Sequence, residues 1–319
     1  MSKIPKPLPK DSSKDRSIRE KSLIESTAKS KLLLTQKKSL SISFSFSSFI
    51  IPENVENIDQ NDGENVLLAP NLTNDIYMYI RHLEEKLALR KDFLSNQTQL
   101  TPRMRSRLVD WIIAVHHQFK LLPETLYLTI ALMDRFFEKE IVSKDKIQLC
   151  GVTAFFIASK YEEIYPPELR DFLLICDSCT KGDLIKMEMS FLRVLKFDLS
   201  NPLPLHFLRR FSKAAHADSR IHTMAKYLME LSLIEYECST WKPSLLAATS
   251  LYLTLRMISE NCDWNDTLAF YSNYKEEQLL SHVSTLCKLL IKTQSSRYQV
   301  RNNWREKDVQ YIFDYLIFS

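Results

Sequence analysis

Residues 149–160 read LCGVTAFFIASK, and residues 245–256 read LLAATSLYLTLR. In the first, Gly151, Ala154 and Ala158 make a stripe of small side chains at spacings of three and four. In the second, Ala247, Ser250 and Thr254 repeat that stripe 96 residues later. The spacing is that of one face of an α-helix, and small side chains let two helix axes approach closely. Lys160 follows the first stripe and Arg256 the second at the same interval, and Leu132-Met133-Asp134 is answered by Leu228-Met229-Glu230 at the same offset. Two similar five-helix bundles in tandem, each with a tightly packed central hairpin, are the economical reading.

The surrounding text is helical as well. From Thr73 the apolar residues Ile76, Tyr79, Ile80, Leu83 and Leu87 recur at helical spacing, with Thr73 or Asn74 available as N-cap. Pro102 opens a helix to about Phe119 whose middle, Leu108 to Val115, is apolar nearly all round, as in a helix enclosed by others. Pro123 sits where a further helix starts, with Leu126, Ile130, Met133 and Phe137 on one face. Helices follow at about 145–162, 167–175 and 181–195. Pro202 and Pro204 then interrupt the pattern, and a second set runs to about 292.

Composition agrees. The 319 residues hold only three glycines, Gly63, Gly151 and Gly182. That excludes glycine-rich phosphate loops and argues against folds built on tight β-hairpins. The first 40 residues carry 11 Lys+Arg and 4 Asp+Glu, while the remaining 279 carry 32 and 35, so the basic excess lies wholly in the tail. Residues 1–50 are rich in Ser and Lys and read as disordered. The stretch from 51 to 75 is acidic, with Glu53, Glu56, Asp59, Asp62, Glu64 and Asp75 and no Lys or Arg. Ser39–Ile51 alternates polar and apolar residues with strand period, which suits either a disordered segment or one that orders on a partner. The expected divisions are a disordered tail over 1–72, an N-terminal helix and first bundle over 73–200, a second bundle over 201–300, and a divergent segment over 301–319. No apolar run is long enough to span a membrane, and no signal peptide is visible.

Chemistry is sparse. None of the seven histidines lies in a metal or nucleophile motif, and G-x-S-x-G cannot be built from these glycines. Cys176 and Cys179 form one C-x-x-C with no second pair or nearby His to complete a zinc site, so the cysteines are expected to be reduced and unpaired, with no metal and no cofactor. The residues that stand out are charges in apolar helices: Arg105, Asp110, Asp134, Lys160 and Glu188. A buried charge is costly unless paired. These five are either internal ion pairs or groups aimed at a partner, and residue types alone leave both readings open.

At these residues the chain resembles a known family. Residues 104–111, MRSRLVDW, resemble the opening of a cyclin box. LCGVTA and ASKYEEIYPPE, residues 149–154 and 158–168, look like its third helix and the segment after it. PLPLHFLRR and HTMAKYLMEL, residues 202–210 and 222–231, are similar to B-type, mitotic cyclins. The resemblance covers about residues 73–300. It implies an all-α chain of two tandem five-helix cyclin boxes behind an N-terminal helix. It further implies a nuclear and cytoplasmic regulatory subunit, not itself an enzyme, that binds and activates a mitotic cyclin-dependent kinase.

By the same resemblance, Arg105 and Asp134 form an internal ion pair. Lys160 and Glu188 bond backbone around the kinase αC helix, and Tyr161, Leu192 and Leu199 line a pocket for an αC side chain. Met104, Leu108, Trp111 and Gln148 form a patch for R-x-L-type substrate peptides, although Met104, Leu108 and Trp111 equally suit a core stripe. Arg209, His222 and Lys226 match a phosphate pocket for phosphorylated regulators. Arg107 departs from the family, which carries an aliphatic residue there, and disfavours basic docking peptides. The tail arginines, Arg16 and Arg19, begin no R-x-x-L destruction box, and no K-E-N occurs. Two other readings remain. A cyclin-fold adaptor need activate nothing. A transcription factor of the same fold would bind nucleic acid through a basic helical face, against which the near-neutral body and the YEEIYPPE segment argue.

Overall fold

The computed structural model describes residues 51–63, 65, 68–176, 179–258, 263–294 and 298–305. The basic tail, nearly all of the alternating segment 39–51 and the apolar end 311–319 lie outside them. Twelve α-helices, two short 3-10 turns and no strand occur among the described residues. Helix α1 (Thr73–Lys86) leads. The first box is α2 (Pro102–Phe119), α3 (Pro123–Lys139), α4 (Ile147–Glu162), α5 (Leu169–Leu174) and α6 (Lys181–Val194). The second is α7 (Pro204–Ala214), α8 (Ser219–Ser232), α9 (Pro243–Ile258), α10 (Asp266–Ser272) and α11 (Glu276–Gln294), and α12 (Gln299–Arg305) follows.

The repeat in the sequence is the repeat in the fold. LCGVTAFFIASK lies in α4 and LLAATSLYLTLR in α9, the third helix of each box, and both are buried on nearly every side. α4 packs on the first, second and fifth helices of its box, and α9 does the same in the second. The small residues permit this crowding. A Cβ added at Gly151 would lie 2.9 Å from Leu108 Cδ1 and 3.3 Å from Ile112 Cδ1, so its close approach is to α2.

Local chemistry fixes the helix ends. Thr101 accepts from the Met104 N–H, with Pro102 at the first helical position. Lys120, with φ of 54°, stops α2 in the left-handed region. Thr180 and Asp183 cap α6 reciprocally, and Asp218 caps α8 by accepting from Ile221 N–H at 2.8 Å. At α1 the expected cap differs. Thr73 is already helical, and its hydroxyl donates backwards to the Leu68 and Ala69 carbonyls.

One apolar core runs through both boxes, and polar ties reinforce the seam. α1 lies on the second box: Tyr77 donates to the His206 carbonyl at 2.9 Å, Arg81 to the Ser272 carbonyl at 2.6 Å, and buried Glu84 accepts from Ser244 N–H and Oγ–H. α12 returns to the first box, where Asp110 accepts from Gln299 N–H at 2.8 Å.

Two expectations are corrected. The acidic stretch placed in the disordered tail is packed from residue 51 to 63. Ile58 is buried, Asp59 bonds Arg210 and Lys213, Asp62 pairs with Lys213, and Glu56 meets His216. Its charges meet a complementary set on the second box, which composition read in isolation misses. Cys176 and Cys179, expected as free thiols, are joined in a disulfide with Cα atoms 5.5 Å apart. Both lie between α5 and α6, where the Cys179 N–H donates to the Cys176 carbonyl. Cys150, Cys238 and Cys287 are free.

Candidate functional site

The charges singled out in apolar helices sort by position. Arg105 is fully enclosed and donates from Nε to Asp134 Oδ1 at 2.8 Å and from Nη2 to Oδ2 at 2.6 Å. This bidentate pair joins α2 to α3, and Nη1 continues to the Leu233 carbonyl at 3.0 Å, beyond α8 in the second box. Arg105 therefore fixes both the first box and its seam with the second.

Lys160 and Glu188 sit at the surface and are paired with each other, tying the last turn of α4 to α6. The Lys160 ammonium also lies over the Phe156 ring, 4.0 Å from its centroid. The segments that carry and follow these two residues are unusually apolar at the surface. Tyr161 is exposed, as are Ile164 and Tyr165 just after α4, at 86% and 90%. Ile185 and Met189 on α6 are exposed with Leu192 half-buried beside them, at helical spacings of four and three. Leu199 is half-buried, and Phe197, in left-handed backbone with φ of 57°, is held out at 73% exposure. Ile164, Tyr165, Ile185, Met189 and Phe197 were not picked out from the sequence. The available signal was the apolar residues of YEEIYPPE, which no helical face of their own accounts for. Large apolar side chains left exposed on α6 and on the segments that follow α4 and α6 mark an interaction surface.

Met104, Leu108, Trp111 and Gln148 are brought together. With Arg107, Lys144 and Ile147 they line one groove of about 430 Å³. Leu108 is buried, Met104 and Trp111 are half-buried, and Gln148 is exposed. The stripe is thus both core and groove floor, with two exposed cations at its edge.

Arg209, His222 and Lys226 are less united. Arg209 is engaged by Glu124 in the first turn of α3. His222 pairs through Nδ1 with Ser212 Oγ at 2.8 Å and opens on a shallow cavity lined also by Lys213 and His216, with neither Arg209 nor Lys226 in its wall. Burial, with the charges of Lys226 and Arg209, holds the His222 pKa below the ordinary histidine value. Among the described residues, no group of three His, Cys, Asp or Glu is placed to hold a metal, and no helix is long and apolar enough to cross a membrane.

Tandem five-helix boxes with an apolar surface on the first define a cyclin-type binding module. Residues 75–200 match the cyclin N-terminal domain and residues 202–313 the cyclin C-terminal domain. The G2/mitotic-specific cyclin-B of Patella vulgata is 47% identical over 244 residues, covering 76% of this chain and 59% of that protein. The cyclin-B of Hydra vulgaris is 47% identical over 250 residues, covering 78% and 69%. Cyclin-B1 of Xenopus laevis is 43% identical over 248 residues, covering 77% and 62%. A viral cyclin from herpesvirus saimiri shares the fold with a TM-score of 0.61 at 23% identity, covering 68% of this chain and 96% of that one. The chain belongs to the cyclin family, among its B-type, G2/mitotic-specific members. It spans about six tenths of the length of the first of these relatives.

Proposed function

We propose that the chain is the regulatory subunit of a mitotic cyclin-dependent kinase, working in nucleus and cytoplasm to drive entry into and passage through mitosis. The observation that carries this is the exposed apolar surface around the Lys160–Glu188 pair. A kinase needs its β3 lysine–αC glutamate pair and an ordered activation loop. A protein that supplies no catalytic atom can still activate it by binding the αC-in state more tightly, which shifts the population. Lys160 and Glu188 would exchange their mutual contact for backbone groups at the ends of αC, while Tyr161, Leu192 and Leu199 receive an αC side chain. The apolar groups around them supply the large buried area such assemblies use.

Substrate recruitment falls to the groove of Met104, Leu108, Trp111 and Gln148, and recognition of phosphorylated regulators to Arg209, His222 and Lys226. The body of the chain, 32 basic against 35 acidic residues, offers no net positive charge for nucleic acid. The test is co-purification with a mitotic cyclin-dependent kinase, followed by phosphorylation of a histone-type substrate. The wild-type chain should bind and activate. Lys160→Ala with Glu188→Ala should lose binding and retain its helical melting curve. Wild-type affinity in that variant would remove these residues from the interface, and binding without kinase activity would make the chain an adaptor.

A further inference from the structure

The groove on the first box joins an apolar floor to a cationic rim. Met104, Leu108 and Trp111 of α2 line it with Ile147 at the start of α4, and Arg107 and Lys144 complete it. Both cations are exposed, and neither has an ion-pair partner among the described residues. Lys160, Arg209, Arg210 and Lys213, by contrast, are each held by a carboxylate. The carboxylates nearest in sequence are engaged elsewhere. Asp110, three residues after Arg107, accepts from the Gln299 N–H of α12, and Asp145 bonds the Ser143 side chain. No carboxylate lines the groove. The root of Lys144 is fixed beside it, since its backbone N–H donates to Gln99 Oε1 at 2.9 Å. An apolar trough with a positive rim and no acid favours apolar chains that bring negative charge.

We propose that this groove selects acidic docking segments, extended stretches of a kinase substrate in which a glutamate stands two residues from a leucine. The inference rests on the reading of the groove as the recruitment site and specifies what that site accepts. Spacing selects the pattern. In an extended segment, side chains two residues apart point the same way and stand about 6.6 Å apart. On α2, Arg107 is three residues from Met104 and four from Trp111, which sets its Cβ about 5–6 Å from theirs. A leucine seated on Met104 and Trp111 therefore brings a glutamate two residues away to the Arg107 guanidinium. A lysine or arginine there meets like charge, and a neutral segment gains only the apolar floor. Because both cations are exposed, each pairing is modest and sensitive to salt. Together they are worth about threefold to tenfold in affinity.

The experiment follows the Trp111 indole N–H by NMR in the full chain, with the signal assigned through Trp111→Phe. The probes are acetyl-Ser-Glu-Ser-Leu-Ser-Glu-Ser-amide and its analogues with both glutamates replaced by glutamine or by arginine. Placing the residue on both sides of leucine serves either chain direction. The glutamate and glutamine peptides should shift Trp111 saturably at low salt. The glutamate peptide should bind about threefold to tenfold more tightly, and the arginine peptide more weakly than both. Arg107→Ile with Lys144→Gln should bring the three within about twofold of one another while binding persists. Lys275→Gln with Lys288→Gln, an equal loss of exposed charge in the second box, should leave the order intact. Equal affinities in the wild-type chain, or an arginine peptide that binds most tightly, would overturn the proposal and leave the groove a docking site. An acid preference that survives Arg107→Ile with Lys144→Gln, or that is lost on changing Lys275 and Lys288, would overturn it too. No saturable shift with any of the three would remove both the selectivity and the recruitment reading.

Discussion

Asp134→Ala should be among the most damaging single changes in the chain, and its cost can be worked from the geometry. The substitution removes both carboxylate oxygens from Arg105 and leaves a fully enclosed guanidinium with one remaining acceptor, the Leu233 carbonyl. Breaking one side of a buried ion pair costs about 3–5 kcal/mol. A cleft of about 110 Å³, lined in part by Arg105 and Asp134, can admit water to the orphaned cation, which points to the lower half of that range. Against a total stability of about 5–15 kcal/mol, a loss of that size lowers Tm by roughly 6–15 °C in a body this large. Arg105→Met with Asp134→Leu removes both charges at nearly conserved volume. It leaves only the Leu233 carbonyl to be resatisfied, a penalty of about 1–3 kcal/mol. Chemical denaturation followed by circular dichroism, run on wild type, Arg105→Met, Asp134→Leu and the double, gives the coupling between the positions, with Asp134→Ala measured beside them. The expected coupling exceeds about 2 kcal/mol, with the double variant more stable than Asp134→Ala. Additive losses would refute the reasoning, because they would mean that Arg105 does not depend on Asp134 for its compensation.

Gly151→Leu should prevent the first box from folding, since a Cβ there already meets Leu108 Cδ1 at 2.9 Å. Gly151→Ala, relieved by a small shift of the Leu108 side chain and by better helix propensity, should stay within about 1–2 kcal/mol of wild type in a thermal melt. Asp59→Asn should change the acid limb of stability. Burial opposes the charged form of Asp59, but the hydrogen bonds and charges of Arg210 and Lys213 outweigh it, so the carboxyl sits below its usual range. Its contribution is therefore complete above about pH 4 and is lost as pH falls through the depressed folded value. Wild type and variant should differ by about 2 kcal/mol at pH 7 and converge in strong acid, as urea midpoints across pH would record. Arg107→Ile should strengthen binding of an R-x-L peptide to the groove of Met104, Leu108 and Trp111 by about threefold to thirtyfold, read by fluorescence anisotropy. Unchanged affinity would mean that Arg107 does not act on the bound peptide.

The helical plan was legible because its signals are short-range. The small-residue stripes and the prolines at 102, 123 and 204 each act within a turn or two of themselves. The repeat then came from comparing two local patterns. What escaped reading lies between distant residues. Asp59 meets Arg210 across 151 positions, so an acidic run that looks like solvated tail finds its partners only when the second box has formed. The Leu233 contact of Arg105 and the acceptance of Gln299 by Asp110 belong to the same class. Within the candidate interface, Lys160 and Glu188 stood out because they are charged. Ile164, Met189 and Phe197 did not, because an apolar residue on paper does not declare whether it faces inward.

The return of α12 to the first box also bears on how the protein is made. Asp110 and the Ile113 carbonyl receive their partners, Gln299 and Asn303, from 189 and 190 positions later in the chain. At ribosomal speeds of 5–20 residues per second, that is a delay of about 10–40 s. Through it, the five helices of the first box can assemble while one flank of α2 stays unsealed and the Asp110 carboxylate faces water until its amide arrives. A nascent chain thus passes through a stage in which half of it is folded and still has an open seam. Closure of that flank therefore waits on α12, far along the chain from the helices it completes.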